Sequence, residues 1–261
     1  GDSDVLSTSV RDDKIAWYDN DGRGNFSEQK VITTAADGAR AVTAADLDAD
    51  GDQDVLSASF WDQKIAWYEN AWFETGRGGF GVQNVINYFA AGASDVYTAD
   101  LDRDGDLDVI SASSDDNKIA WYENTLYRGR NCASFGPQQI ITKATGHVES
   151  VFCADLDGDN DLDVLYNSGN EIKWQENDGH GHFGAQQFVT SWLKFARDVF
   201  AADLDGDGDI DVLSCSWLDD KIAWYENDGA GNFTFAPKII STSGKAPISI
   251  FCADMDRDND I

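Results

Sequence analysis

The sequence predicts an all-β fold, a β-propeller of five four-stranded blades, and three observations carry that expectation. A phrase of the form A-D-L-D-x-D-G-D-x-D-V-L-S-A-S recurs with its first aspartate at Asp46, Asp100 and Asp203, and in variant form at Asp155 and Asp254. The steps between these aspartates are 54, 55, 48 and 51 residues. A second phrase, K-I-A-W-Y-E-N, begins at Lys14, Lys64, Lys118 and Lys221, and a degraded copy begins at Glu171. Apolar and polar residues alternate with period two, Gly and Asp stand at the joints, and no 3.6-residue periodicity appears.

Each unit contains four strand-like runs. The first is apolar, as in Val199-Phe200-Ala201-Ala202, the second is Val-Leu-Ser-Ala-Ser, and the third is Ile-Ala-Trp-Tyr-Glu. The fourth follows a G-x-F-G-x-Q-x-x-I phrase near Phe26, Phe80, Phe135, Phe183 and Phe233. Four strands in about 50 residues suit a propeller blade rather than a solenoid coil or a sandwich. The chain opens on Gly1-Asp2-Ser3-Asp4-Val5-Leu6, which matches Gly51-Asp52-Gln53-Asp54-Val55-Leu56, and it ends inside the same loop, at Asp254 to Ile261. Strand one of one blade is therefore expected from the C-terminus and strands two to four from the N-terminus, closing the ring and covering the sheet edge. On that reading residues 1–261 form a single five-bladed domain. A fragment of a seven- or eight-bladed propeller is the rival.

Composition narrows the function. The 261 residues hold 48 Asp plus Glu against 19 Lys plus Arg, a formal charge of −29, so no surface could neutralise a row of phosphates. That balance argues against nucleic acid and anionic membranes as partners. With 42% hydrophobic residues, 9 Trp, 14 Phe and 8 Tyr, the chain is not a disordered acidic one. No apolar run approaches the roughly 18 residues that span a bilayer, and no signal peptide opens the chain.

The repeated D-x-D-x-D-G-D-x-D loops, with turns at Phe80-Gly81, Phe135-Gly136 and Phe183-Gly184, resemble FG-GAP/VCBS repeats over the whole chain. That family includes the propellers of integrin α subunits, of a calcium-binding fungal lectin and of fungal aldos-2-ulose dehydratase. The resemblance implies a calcium-binding propeller. Two departures are that the Gly-Ala-Pro half of the family's name is nearly absent, and that Phe26-Ser27 and Phe233-Thr234 lack the Gly.

The aspartates themselves point to the same chemistry. Carboxylates at positions 1, 3, 5 and 9 of a nine-residue loop, with a backbone carbonyl at position 7, form an oxygen cage suited to Ca²⁺. Position 12 is Ser57, Ser111, Tyr166 or Ser214, never the Glu of an EF-hand, so position 9 takes the closing role. The side-chain ligands are then Asp46, Asp48, Asp50 and Asp54; Asp100, Asp102, Asp104 and Asp108; Asp155, Asp157, Asp159 and Asp163; and Asp203, Asp205, Asp207 and Asp211. Position 7, occupied by Asp52, Asp106, Asp161, Asp209 and Asp260, adds a main-chain oxygen. The fifth site is split, with Asp254, Asp256 and Asp258 from the C-terminus and Asp4 from the N-terminus, and is expected to be the weakest. So many carboxylates in nine residues repel strongly unless a cation intervenes. Mg²⁺ is disfavoured because it keeps its waters in a tight octahedron, and sites of this kind fill where calcium is millimolar, which favours an extracellular setting.

Other repeated residues read as scaffold. Trp17, Trp67, Trp121, Trp174 and Trp224 recur once per blade and are expected to pack between blades. Lys14, Lys64, Lys118 and Lys221 are expected to pair with Asp12, Asp62, Asp116 and Asp219. Cys153, Cys215 and Cys252 replace small residues in strands of different blades and Cys132 lies in a loop, so neither a disulfide nor a zinc site is expected.

Function is sought where the repeats break, because what all blades share is architecture. The loops Ala71-Trp72-Phe73-Glu74-Thr75 and Thr125-Leu126-Tyr127-Arg128 are longer than their counterparts and are expected on the calcium face. The opposite face carries Phe60-Trp61 and Trp217-Leu218 in strand two-to-three loops. It also carries Arg40, Asp95, His147, Glu149, Trp192, Arg197 and Asp198 in blade-linking loops. Aromatics beside mixed charges suit a polar ligand such as a sugar, and Trp61, Trp217, Trp192, Arg40, Arg197 and Asp198 are the candidate ligand-binding set. No G-x-S-x-G, H-E-x-x-H or P-loop signature appears, so no enzyme is expected. The sequence thus reads as a calcium-stabilised extracellular binding or structural module, with glycans or another protein as partners, monomeric or exchanging the split blade between chains. A protein-interaction scaffold and a non-catalytic propeller from a larger enzyme are the alternatives.

Overall fold

The computed structural model describes residues 3–71, 79–126, 133–234 and 236–255. The chain divides into two compact units, residues 1–98 with 105–140 and residues 99–104 with 141–261. Every described element is a β-strand, and no helix is long and apolar enough to cross a membrane.

Each repeat forms its own antiparallel meander, so the fold is a β-propeller built blade by blade. The first sheet has three strands, β1 (Val5–Ser9), β2 (Lys14–Tyr18) and β3 (Lys30–Thr33). The second comprises β4 (Ala39–Ala45), β5 (Asp54–Ser59), β6 (Lys64–Tyr68) and β7 (Asn84–Asn87), and the third β8 (Ala93–Ala99), β9 (Asp108–Ser113), β10 (Lys118–Tyr122) and β11 (Gln139–Lys143). The fourth holds β12 (Val151–Ala154), β13 (Asp163–Ser168), β14 (Glu171–Gln175) and β15 (Gln187–Thr190). The fifth holds β16 (Ala196–Ala202), β17 (Asp211–Ser216), β18 (Lys221–Tyr225) and β19 (Lys238–Ser241).

The strand expected from the C-terminus is the exception. Residues 247–254 carry no strand, and Phe251 and Met255 are 77% and 89% exposed. At the position of Met255 in other repeats, Leu47, Leu101 and Leu156 are fully buried. Within the second unit this segment is tied to β16 by single contacts and not by a strand ladder: the Ile250 N–H donates to Asp198 at 2.9 Å and Phe251 meets Phe200 edge-on at 5.2 Å.

Sequence chemistry sets the hairpins. The residue ahead of each strand-three Lys, namely Asp13, Gln63, Asn117 and Asp220, is left-handed, with φ of 55 to 60°. Three of the four are Asp or Asn, which tolerate that region best among side-chain-bearing residues. The strand two of blades two to five is buried along its whole length. Ser and Ala keep it thin, and Ser57 Oγ donates to the Ala66 carbonyl at 3.3 Å.

The repeated Trp residues pack as expected, with Trp67, Trp121 and Trp174 buried and Trp17 and Trp224 half-buried. The ring of the next repeat's turn closes over them edge-on: Trp17 meets Phe80 at 6.3 Å and Trp174 meets Phe233 at 6.5 Å between centroids. The four Lys–Asp pairs form at 2.5 to 2.9 Å. In the degraded repeat Lys173 stands where Ala66, Ala120 and Ala223 stand elsewhere, and it is buried. Its ammonium pairs with Glu171 at 2.7 Å and lies 4.9 Å from the Phe188 ring centre, so one strand carries both charges. Cys153, Cys215 and Cys252 are free thiols, and Cys132 lies outside the described residues.

Candidate functional site

Three aspartate loops lie wholly within one unit. Carboxylate oxygens of Asp46, Asp48 and Asp50 come within 4.8 Å of one another, as do those of Asp155, Asp157 and Asp163, and of Asp203, Asp205 and Asp211. Oxygens on opposite sides of a Ca²⁺ stand about 4.8 Å apart, given Ca–O distances of about 2.4 Å, so the spacing and the all-oxygen donor set fit this ion.

Backbone geometry makes the convergence possible. Gly51 and Gly208 at position 6 adopt φ of 98° and 97°, which turns the chain back on itself. The N–H groups then point at the first carboxylate. Gly206 and Gly208 donate to Asp203 Oδ1 and Oδ2 at 2.7 and 3.0 Å, and Gly158 and Asn160 donate to Asp155 at 2.8 and 2.9 Å. Position 9 is fixed from both sides. Asp163 accepts from the N–H of Leu156 and of Asn177, each at 2.9 Å, while Asp211 accepts from Leu204 at 3.1 Å and Asn227 at 2.9 Å.

Burial without a counter-ion makes these groups hold protons. Asp54 and Asp163 are pushed up to about 7, first by burial and then by neighbouring carboxylates, and Asp48 to about 6 for the same reasons. Asp211 and Asp157 rise as well, chiefly through burial. A divalent cation replaces those protons with a stronger charge.

Of the remaining sequence candidates, Asp100, Asp102 and Asp104 belong to the second unit and Asp106 and Asp108 to the first. Arg103, in that loop, pairs with Asp161 and donates to the Asn160 carbonyl, so a guanidinium reaches the neighbouring acidic loop. Asp4 accepts the Asn20 N–H at 2.8 Å, and Asp254 is exposed. Asp256, Asp258 and Asp260, together with residues 72–75 and 127–128 of the two longer loops, lie outside the described residues.

The candidate ligand residues fall in both units, Arg40 and Trp61 in the first and Trp192, Arg197, Asp198 and Trp217 in the second. Arg197 and Trp217 come together, the guanidinium carbon 5.6 Å from the ring centre, and Arg40 lies 4.8 Å from the Phe60 ring centre. Trp61 and Trp192 are exposed. Asp198 takes no part in that cluster, since adjacent strand residues face opposite ways. Its carboxylate instead accepts from Ser150 Oγ at 2.7 Å and from the Ile250 N–H at 2.9 Å.

Sequence reasoning missed the Asn that ends each W-Y-E-N phrase. Asn124 Nδ2 donates to the carbonyls of Leu47 and Leu107 at 2.8 and 3.1 Å, and Asn177 to those of Leu101 and Leu162 at 2.8 and 3.1 Å. The available signal was its recurrence at Asn20, Asn70, Asn124, Asn177 and Asn227.

The FG-GAP-like repeat model matches residues 1–57, 46–111, 100–166, 164–214 and 203–261. No curated protein sequence matches the chain. Among solved structures it is similar to an Agrocybe aegerita lectin that recognises non-reducing terminal N-acetylglucosamine, with 18% identity, a TM-score of 0.61 and 90% of this chain covered. The chain spans 62% of that lectin's length. It is also similar to the Pseudomonas aeruginosa periplasmic gluconolactonase PpgL, with 14% identity and a TM-score of 0.60, covering 94% of this chain and 68% of that one.

Proposed function

Because the chain belongs to the FG-GAP-like repeat family, we propose that it is a calcium-stabilised β-propeller acting outside the cell as a glycan-binding module. The observation that carries the reading is the convergence of three carboxylates on one point in each complete loop. Asp46, Asp48, Asp50 and Asp54, and their counterparts in the other loops, would hold the ions. Calcium would supply charge neutralisation and a rigid hairpin rather than chemistry. Five ions would bring the formal charge from −29 to about −19, still acidic enough to keep nucleic acid away.

Glycan as the ligand class is supported by exposed Trp61, Trp192 and Trp217, by the Arg197 guanidinium 5.6 Å from the Trp217 ring centre, and by the lectin's shared fold. The reading is a non-catalytic one. The gluconolactonase likeness extends to the fold alone. Residues 1–261 are read as one five-bladed propeller domain.

A second reading, a protein-interaction scaffold, is favoured by the adjacent Tyr88 and Phe89, both exposed on the first unit. A glycan array probed with calcium-saturated and chelated protein separates the two. Calcium-dependent binding to a defined sugar is the expected result, and a blank array would leave the scaffold.

A further inference from the structure

Two of the five repeats place an Arg at the start of strand one and an aromatic residue at the start of the strand two-to-three turn. The first column reads Arg40, Ser94, Glu149, Arg197 and Ile248, and the second reads Phe60, Ser114, Gly169 and Trp217. Each Arg–aromatic pair lies within one unit.

The two clusters exchange bulk between two other columns. Gly38 corresponds to Phe195, and Trp61 to Leu218. A Cβ on Gly38 would stand 2.9 Å from Trp61 Cδ2, so the indole at 61 needs bare backbone at 38. In the second unit the bulk sits at 195 instead. There the Phe195 ring meets the Trp217 ring edge-on at 6.0 Å and lies 5.8 Å from the Arg197 guanidinium.

Phe195 occupies this place against its own backbone preference. Its φ is 63°, in the region held by Gly38 at 69° and Gly92 at 66°, where a bulky side chain is rarely found. Architecture is served better by Gly here, and strained residues of this kind gather at functional sites. The polar partners are close by. Arg197 Nη1 lies 3.0 Å from Glu149 Oε1 with the two side chains 19% and 11% exposed, Arg197 Nε is enclosed without an acceptor, and the His147 ring lies 6.4 Å from Phe195.

The geometry points to a pyranose-binding site in the second unit, walled by Trp217 and Phe195 with the Arg197–Glu149 pair beside them, and to a sister site at Arg40, Phe60 and Trp61 in the first unit. This rests on the glycan reading and gives it a place and a sugar class. An aromatic face accepts the C–H face of a sugar ring. A donor and an acceptor side by side serve neighbouring hydroxyls, each of which both donates and accepts. The sugar is a neutral one: Glu149 already offsets the Arg197 charge, and a uronate or sialyl carboxylate would meet that acid on a chain of formal charge −29.

The test is calorimetric titration and saturation-transfer NMR of the calcium-saturated chain with methyl glycosides of glucose, galactose, mannose, N-acetylglucosamine and glucuronic acid. A neutral glycoside is expected to bind with two sites per chain. Phe195→Gly should leave the thermal midpoint unchanged or higher yet reduce the count to one, and Trp217→Ala should do the same to the count. Glu149→Gln should weaken the second-unit site about tenfold. Wild-type binding that survives Phe195→Gly and Trp217→Ala with an unchanged count overturns this site and leaves the glycan reading standing. Preference for the glucuronide overturns the sugar class. A wild-type chain that binds none of the glycosides and gives a blank array overturns both readings.

Discussion

Asn227 donates its side-chain amide to the carbonyl of Leu156, 71 residues earlier, at 2.7 Å, and to the carbonyl of Ile210 at 2.8 Å. Its own N–H goes to Asp211 Oδ1, while the N–H of Leu156 goes to Asp163 Oδ2. The closing carboxylates of two successive loops are thus joined through one asparagine; Asn227, Leu156, Asp163 and Asp211 are buried and Ile210 is half-buried. Asn177 repeats the arrangement from Leu101 to Asp163. The metal loops are therefore held partly by their neighbours, and loop geometry becomes a property of the stack of blades.

Removing that amide should be expensive. Asn227→Ala leaves one buried and one half-buried carbonyl without this donor, and a buried loss costs about 1–3 kcal/mol. The expected destabilisation is about 2–4 kcal/mol by urea unfolding of the calcium-loaded chain. Asn227→Asp should be worse than Ala, because a carboxylate would then face two carbonyl oxygens. A loss below about 0.5 kcal/mol for both variants would show that the bridge carries nothing.

The pH dependence follows from the buried carboxylates. Asp54 and Asp163 hold protons up to about 7 and Asp48 up to about 6 in the fold, against 3.8 when unfolded. The metal-free fold therefore binds more protons than the unfolded chain. The stability this contributes is complete below pH 3.8 and is lost as pH rises through 6 to 7. Calcium competes with the same protons, so its affinity should climb over that window. Melting the chelated protein at pH 5 and pH 8 should give the higher midpoint at pH 5, and calcium should raise the midpoint more at pH 8. A chelated midpoint that rises with pH would refute the assignment.

Positions 3 and 9 of one loop should behave differently. No backbone group is tied to the Asp205 carboxylate among the described hydrogen bonds, whereas Asp211 also anchors Leu204 and Asn227. Asp205→Asn should abolish one calcium site and leave the chelated midpoint unchanged or raise it, because the Asp205 charge repels Asp211 in the empty loop. Asp211→Asn should abolish the site and lower the chelated midpoint too. For each site lost, calcium at a hundredfold excess over Kd should stabilise the chain by about 2.7 kcal/mol less, read by differential scanning calorimetry. Equal chelated midpoints for the two variants would contradict the dual role of position 9.

What could be read in the sequence was whatever the repeat states five times over. The Val-Leu-Ser-Ala-Ser strands, the Trp packed under the next repeat's Phe, and the Lys64–Asp62 type of pair all follow from period and side-chain chemistry. The asparagine bridge was harder to see, because its partners are main-chain carbonyls such as that of Leu156, which no side-chain pattern marks. Phe195 was hidden for a related reason: its strain is a backbone angle, visible in sequence only as a Phe in a column that holds Gly38 and Gly92. Residues 247–254, which carry no strand, show the limit of periodicity, which assigns a strand by likeness and says nothing of what it pairs with.

Gly231 tests whether contact between repeats, rather than turn strain, holds the Trp ladder. A Cβ there would clash with Trp174 Cζ2, and its φ is 71°. Gly24, at the same place in the first repeat, has φ of 82° with nothing within 4 Å. Alanine at either site incurs the left-handed strain, about 1–2 kcal/mol. Only Gly231→Ala also drives a methyl group into the indole, adding overpacking of about 1–3 kcal/mol and displacing Trp174 from the Phe233 edge. Gly231→Ala should therefore unfold at clearly lower urea than Gly24→Ala, with a shift in tryptophan emission that Gly24→Ala lacks. Equal midpoints would mean that the turn, and not the ring beneath it, requires glycine.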